Sequence, residues 1–590
     1  MQKRICQATK KEFIITDDEA SFCEKIGVPL PTFSPEERFR RRLMRRNERV
    51  LSLRLCTGTG KKVVSFYDEN VSFPVYSREY WYGDGWDGTE YGRDYDFSKS
   101  FFEQFMELGK VAPRIALWQV NSVNSDTSNY IVDSKNCYMC FTALGGNEDC
   151  MYSSYLTEST NCLDCDHITK CDRCYESFNC DSCYNCKFSV DSTTCRDSWF
   201  LRDCNNCSDC FGCVGLKDRQ YYIWNEPYTK EKYESKLKEF KITSRQNFSH
   251  FEEKVNRMWE KFPHRYMHGK KNENVTGDYA LNSNKCENAF FINDCEDSKN
   301  LFFTMGLKNS MDVTVSPIQN ELLYECHAIP KQNYDVKFSD LCSNGCNSIE
   351  YCSNCDSSSN LFGCIGLRKK EYCILNKQYT KEEYQELIQK IKEHIQSMQY
   401  IDKSGRKYGY GEFFPPEVSP FAYNESMAQE HFPLNKKEAE SAGYAWKELK
   451  EREYKTTMDT HTVPDDVTGI PENIAEQVIG CMNEGEGEHN CQTAFRIMPN
   501  ELIFYKQNNI PLPRYCPNCR HHKRLDYRNA LKLRERYCDC AGLQSKNEKY
   551  KNTIEHPYHG NSPCGNSFKT TYDNLEKIVY CEDCYKQEVS

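Results

Sequence analysis

The chain has 590 residues with 36 Cys, and 77 Lys plus Arg against 87 Asp plus Glu give it a net charge of −10. That balance excludes a globally basic nucleic-acid binder, although not local basic patches. No apolar run approaches the roughly 18 residues of a membrane span. The N-terminus lacks an apolar signal core, so the expected compartment is a reducing cytoplasm, where clustered Cys are thiols or metal ligands more often than disulfides.

Residues 1–97 read as a degenerate zinc-ribbon-like unit with an Arg-rich helix. Val28-Pro-Leu-Pro31 recurs as Ile510-Pro-Leu-Pro513, and the match continues through Arg38/Arg520, Arg42/Arg524, Asn47/Asn529 and Cys56/Cys538. In the first copy Ser34 and Glu37 stand where Cys516 and Cys519 stand, and Ser77 and Tyr80 where Cys581 and Cys584 stand. No zinc is therefore expected in residues 1–95. Residues 38–54 hold eight Arg and one Glu and read as a helix. Arg40, Arg41, Arg42, Arg45 and Arg46 are candidate phosphate contacts, because the guanidinium fork pairs bidentately with phosphate oxygens. The aromatic and Gly-rich stretch 80–88 is expected to pack between this unit and the Cys-rich segment that follows.

Residues 120–226 have a period of twelve. Cys150, Cys162, Cys174, Cys186, Ser198 and Cys210 form one row; Ser159, Cys171, Cys183, Cys195 and Cys207 form another; Leu156, Ile168, Cys180, Ser192, Cys204 and Leu216 a third. Every third residue is small or apolar, which neither a helix nor a plain strand produces. The spacing predicts a narrow parallel β-solenoid of about 12 residues per coil, with equal positions stacked into columns. CxxC pairs such as Cys171/Cys174 would signal zinc in isolation. Here Ser, Leu and Ile substitute freely in the same columns, which favours a core of reduced thiols over metal or disulfides.

A helical connector is expected over 227–275 and a second β-solenoid over 280–375, with Cys286, Ser298, Ser310 and Leu322 in one row and Asn288, Asn300 and Asp312 in another. Ser208–Leu237 and Ser359–Ile388 align without a gap, including Phe211/Phe362, Cys213/Cys364 and Thr229/Thr380. Each solenoid thus ends in the same helical cap, and Thr380 with Glu383 has capping-box spacing. Residues 376–470 read as a helix followed by an extended linker region.

Residues 471–590 carry the zinc chemistry, as a double ribbon. Cys516-Pro-Asn-Cys519, paired with Cys481 and Cys491, gives four thiolates for a closed tetrahedron. Cys538, Cys564, Cys581 and Cys584 give a second, with Cys540 competing for the first position. His559, and His556 beside it, lie in the intervening loop; Cys540 and His559 are possible ligands, although a His in a polar loop is more often simply solvated. About two Zn2+ are expected. Residues 520–536 repeat the basic stretch and also read as a helix, adding Arg520, Lys523, Arg524 and Arg528 as candidate nucleic-acid contacts.

The run Phe495-Arg-Ile…Pro-Leu-Pro-Arg-Tyr-Cys-Pro-Asn-Cys-Arg520, with Ile-Val-Tyr-Cys-Glu-Asp-Cys-Tyr near the end, resembles the zinc-ribbon domains of uncharacterised Cys-rich multi-domain proteins of uncultivated bacteria. The resemblance covers most of the chain and implies zinc ribbons but no activity.

No Walker loop, Rossmann fingerprint, nucleophile elbow or HExxH occurs, so no enzyme is expected. One reading is a non-catalytic zinc protein that contacts RNA or DNA through its Arg helices. The alternative is a structural scaffold offering acidic solenoid faces to a protein partner. In a blander reading the arginines pair with the same chain, since residues 120–226 hold sixteen acids against eight bases.

Overall fold

The computed structural model describes residues 1–327, 333–448, 454–486, 490–543 and 548–589. Strand outweighs helix, 29% to 23%, so the chain is mainly β. It divides into two compact units, neither contiguous in sequence: Met1–Trp118 with Met267–Lys447 and Leu531–Leu533, and Gln119–Tyr266 with Glu448–Ala530 and Arg534–Ser590. Each unit joins one ribbon-like copy to one Cys-containing parallel ladder.

In the second unit a parallel ladder runs from Gln119 to Ile223. Ser154 pairs with Asp166 and Trp199 with Phe211. Between these strands single bridges repeat at the same spacing, as in Thr160, Asp172, Tyr184, Arg196 and Ser208. The twelve-residue turn is built of triplets. Cys162, Cys165, Ile168, Cys171 and Cys174 point inward and are buried. Leu163, Asp166, Thr169, Asp172 and Tyr175 make the bridges. Asp164, His167, Lys170, Arg173 and Glu176 sit at corners with φ near +50°. Left-handed backbone favours Asn and Asp among residues that have a Cβ. This explains the Asn and Asp that separate the Cys, at Asn161, Asp164, Asn179, Asn185, Asp191, Asp197 and Asp203.

The narrow interior admits small side chains, and the thiols satisfy backbone carbonyls. Cys171 Sγ donates to Thr169 O at 3.4 Å or to Cys180 O of the next turn at 3.5 Å. All 36 Cys are free thiols. The ladder ends in the antiparallel strand Glu226–Pro227. Thr229 then caps the helix Lys230–Phe240. A left-handed residue, Lys241, separates this helix from a second one, Arg245–Trp259, which packs Phe248 on Phe188 and Phe200.

In the first unit the ladder from Gly269 to Gln378 forms an eleven-stranded sheet whose last strand is antiparallel. Cys286 pairs with Ser298 in the expected twelve-residue register, and the left-handed residues Asn288, Asn300 and Asp312 share a corner row. Asn288 Nδ2 donates to Asn300 Oδ1 at 2.9 Å. The row of Cys286, Ser298 and Ser310 does not continue to Leu322, which takes a left-handed corner. The register slips between Met305 and Leu307, so Met311 pairs with Tyr324 and Leu323, not Leu322, is fully buried. The cap repeats that of the other ladder: Thr380 and Glu383 form a capping box on the helix Lys381–Ser397.

Three further expectations are corrected. The helices of the two basic stretches are short, Pro35–Met44 and Pro517–Leu525, and the chain then turns into strands Ser52–Leu55 and Arg534–Tyr537. In the first copy Asn47 makes the turn: its Oδ1 accepts from Val50 N at 2.9 Å and its Nδ2 donates to Val50 O and Phe66 O at 2.8 Å, so the side chain takes bonds a helix would need. The aromatic loop packs on the ladder of its own unit: Arg368 lies 4.9 Å over the Trp86 ring, and Gly366 faces Trp81 and Trp86. The stretch expected to be a linker is built into cores, with Tyr408, Phe413 and Phe414 buried in the first unit and Val463, Val467 and Ile470 buried in the second. Among the described residues no helix is long and apolar enough to cross a membrane.

Candidate metal centres

Each pair of terminal thiols opens a helix. Cys516 is the N-cap of Pro517–Leu525, and Cys581 the N-cap of Glu582–Glu588. Pro517 at the first helical position costs no hydrogen bond there. This places the second thiol of each pair, Cys519 and Cys584, in the first turn. Unpaired N–H groups and the positive end of the helix dipole there stabilise negative sulfur.

A two-stranded antiparallel ribbon, Ile479–Gly480 with Ala494–Phe495, brings Cys481 and Cys491 to the first pair. Cys481 Sγ lies 3.8 Å from Cys519 Sγ, Cys516 Sγ 3.5 Å from Cys519 Sγ, and Cys491 Sγ 4.0 Å from Cys516 Sγ. The backbone N–H groups of Cys516 and Gln492 donate to Cys481 Sγ and Cys516 Sγ at 3.2 and 3.4 Å. Hydrogen bonds from Cys481 and Cys519, and that of Gln492 N–H, hold the Cys516 thiol far below its ordinary range.

The second ribbon, Arg534–Tyr537 with Ser567–Thr570, sets Cys538 and Cys564 beside Cys581 and Cys584. Cys564 and Cys581 sulfurs are 3.9 Å apart, and Cys581 N–H donates to Cys538 Sγ at 3.2 Å. Cys538, and not Cys540, lies with Cys564, Cys581 and Cys584. Cys540 belongs to another group, with His556, His559 and Cys584. Among the described residues, three sets of four ligand atoms thus lie within 4.8 Å of one another and could hold metal ions: Cys481, Cys491, Cys516 and Cys519; Cys538, Cys564, Cys581 and Cys584; and Cys540, His556, His559 and Cys584. None draws on the ladder thiols. The double membership of Cys584 has no counterpart in the sequence reading; its only sequence signals are the His-x-x-His spacing of His556 and His559 and the single residue between Cys538 and Cys540.

The N-terminal copy keeps the scaffold of these sites with only Cys6 and Cys56 at ligand-like places. Ser34 and Ser77 replace Cys516 and Cys581 as helix N-caps, and their hydroxyls accept from Glu37 N and Tyr80 N at 3.4 Å. Their backbone N–H groups still donate to thiols, Ser34 to Cys6 at 3.4 Å and Ser77 to Cys56 at 3.2 Å, as Cys516 and Cys581 do to Cys481 and Cys538. Where Cys584 would stand, the Tyr80 ring fills the space so closely that a Cβ on Gly58 would meet it at 2.3 Å. Where Cys519 would stand, buried Glu37 accepts from Tyr444 at 3.0 Å.

Most of the candidate phosphate contacts are buried and pair with carboxylates of the same chain. Arg41 pairs with Glu325 and Glu412 at 3.0 and 3.3 Å, Arg42 with Asp312 at 3.5 Å, and Arg45 with Asp340 at 2.9 Å. Arg46 pairs with Glu48, and Arg40, still partly exposed, pairs with Glu37 at 3.5 Å. In the C-terminal copy Arg520 pairs with Asp164 and Glu501 at 2.8 and 3.0 Å, and Arg524 with Asp164 and Glu176 at 3.0 and 3.4 Å. Lys523 is exposed and pairs with Glu252. Arg528 is half-buried; against the opposing effect of burial, its charge joins His167 and His521 in holding the Asp166 carboxyl below its ordinary range. Guanidinium groups buried against carboxylates of the same chain are not open to phosphate from solvent.

No family model and no curated protein matches the chain. One similar solved structure is a "putative acetyltransferase" from Desulfovibrio desulfuricans, 9% identical over 39% of this chain and 62% of that one, with a TM-score of 0.11. This chain spans less than two thirds of that protein, and the likeness carries no argument.

Proposed function

We propose that the chain is a non-catalytic zinc-binding scaffold, in which two β-solenoids are each capped by a helix and backed by a ribbon-like unit. The observation that carries this reading is the all-thiol composition of the quartets at Cys516 and Cys581. Four thiolates fill a tetrahedral zinc and leave no open position for substrate, as in structural sites. Zn2+ would be held by Cys481, Cys491, Cys516 and Cys519, and by Cys538, Cys564, Cys581 and Cys584. Its role would be to fix short ribbons that bury little apolar surface of their own. The scaffold role is favoured over nucleic-acid contact because the Arg helices spend their charge within the chain. Corner and bridge positions on the ladder of the second unit, among them Asp181, Arg196, Asp197 and Asn206, are exposed for a protein partner.

Metal analysis of the full chain tests the metal reading: zinc should fill both all-Cys quartets, and Cys516→Ser with Cys519→Ser should empty the first. Iron in place of zinc, or less than two equivalents of metal, overturns it. Pull-downs after nuclease treatment test the scaffold role and should recover protein. Recovery of RNA or DNA whose binding falls steeply with salt would restore the nucleic-acid reading.

A further inference from the structure

Cys584 belongs to two ligand sets at once. With Cys538, Cys564 and Cys581 it completes an all-thiol quartet, and with Cys540, His556 and His559 it completes a mixed one. Three sulfur–nitrogen distances in the mixed set are short: Cys540 Sγ is 3.4 Å from His556 Nδ1 and 3.5 Å from His559 Nε2, and Cys584 Sγ is 3.2 Å from His559 Nε2. The two ring nitrogens are 3.2 Å apart. A tetrahedron with Zn–S near 2.3 Å and Zn–N of 2.0–2.1 Å sets such neighbours about 3.3–3.8 Å apart.

The outer nitrogens decide what the inner ones carry. His556 Nε2 lies 2.8 Å from Glu588 Oε1, and His559 Nδ1 lies 2.7 Å from the carbonyl oxygen of Ser562. Both partners only accept, so each outer nitrogen holds the ring's proton, and the inner nitrogens of neutral rings present bare lone pairs to each other. A cation between them removes that repulsion. Glu588 is itself fixed: its Oε2 accepts from Tyr550 Oη at 2.7 Å and from Thr553 N at 2.8 Å. Asn552 Nδ2 donates to Cys540 Sγ at 3.2 Å. A carboxylate behind a His and a donor on a thiolate are the outer-shell supports that metal ligands usually have.

We propose that this region is a binuclear zinc centre in which the Cys584 thiolate bridges two ions, one held by Cys538, Cys564 and Cys581, the other by Cys540, His556 and His559. The inference rests on the zinc reading above and adds a third ion to it. Charge favours the pair. Four thiolates on one dication leave a net charge of about −2 beside a stranded Cys540, whereas five on two dications leave about −1 in the same buried volume.

The test is zinc content of the full-length chain, with 113Cd NMR after complete cadmium exchange. Three equivalents are expected, with scalar coupling between two of the three cadmium resonances through the shared sulfur. Cys540→Ser, and His556→Ala with His559→Ala, should each give two equivalents and abolish the coupling. Two equivalents in the unaltered chain, or three uncoupled resonances, overturn the bridged centre and leave the all-thiol sites standing. Fewer than two overturn the zinc reading itself.

Discussion

Arg524 donates to the Asp164 carboxylate at 3.0 Å, with side-chain exposures of 1% and 0%. Asp164 is a left-handed corner of the ladder, and Glu176, one turn further along, is another. The ladder's corners thus supply stacked carboxylates to the ribbon helix. The first unit repeats the arrangement with Arg38 and Arg42 on Asp312, which occupies a corner too. Removing one partner of a buried, hydrogen-bonded pair leaves the other charge uncompensated. Asp164→Ala should therefore lower the unfolding free energy by about 3–5 kcal/mol, read from urea midpoints. A loss under 1 kcal/mol would mean that water reaches the arginines.

The twelve-residue repeat could be read from sequence because its cause is local. A column admits only small or slim side chains, so Cys and Ser recur, and a left-handed corner favours Asn or Asp, so they recur between. The fate of the arginines could not be read that way. Their density in residues 38–46 is visible, but Arg524 and Asp164 are 360 residues apart, and nothing local says that they meet. The same holds for Cys584: its pairing with Cys581 is a spacing, while its approach to His559 depends on how a loop folds back over a helix.

The corner geometry gives a second prediction, at a site where packing is not at stake. Lys170 is exposed and has φ +52°. A β-branched residue there carries the full left-handed penalty, and Gly carries none. Lys170→Val should be less stable than Lys170→Gly by about 1–2 kcal/mol in denaturant unfolding. Equal stabilities would show that the corner relaxes.

Metal removal should act on stability more than on secondary structure. The ladders are hydrogen-bonded turn to turn without any ion, while the ribbons carrying Cys481 and Cys538 are two-stranded and short. Chelation of the full chain is expected to keep most of the β signal in far-ultraviolet circular dichroism. It should also lower the first unfolding transition by several degrees, with zinc restoring it. Loss of the whole β signal on chelation would show that the ladders depend on the metal.

His327 supplies a pH dependence. It is fully buried, and Arg46 Nη1 lies 3.3 Å from its Nε2, which must be unprotonated to accept. Burial first, then the charges of Arg46, Arg45 and Arg42, push its pKa well below the ordinary value of 6.5. In the unfolded chain the imidazole takes a proton near 6.5; in the folded chain it does not. The unfolded state therefore binds more protons below that pH, so this contribution is complete above about 6.5 and is lost as the pH falls beneath it. Acid also releases thiolate-bound metal, so the comparison that isolates the His is between the unaltered chain and His327→Gln, both fully metallated, at pH 7.5 and 5.5. His327→Gln should lose less stability over that interval, by about 1 kcal/mol for each pH unit below 6.5. Parallel losses in the two proteins would show that His327 gains a proton without unfolding the ladder around it.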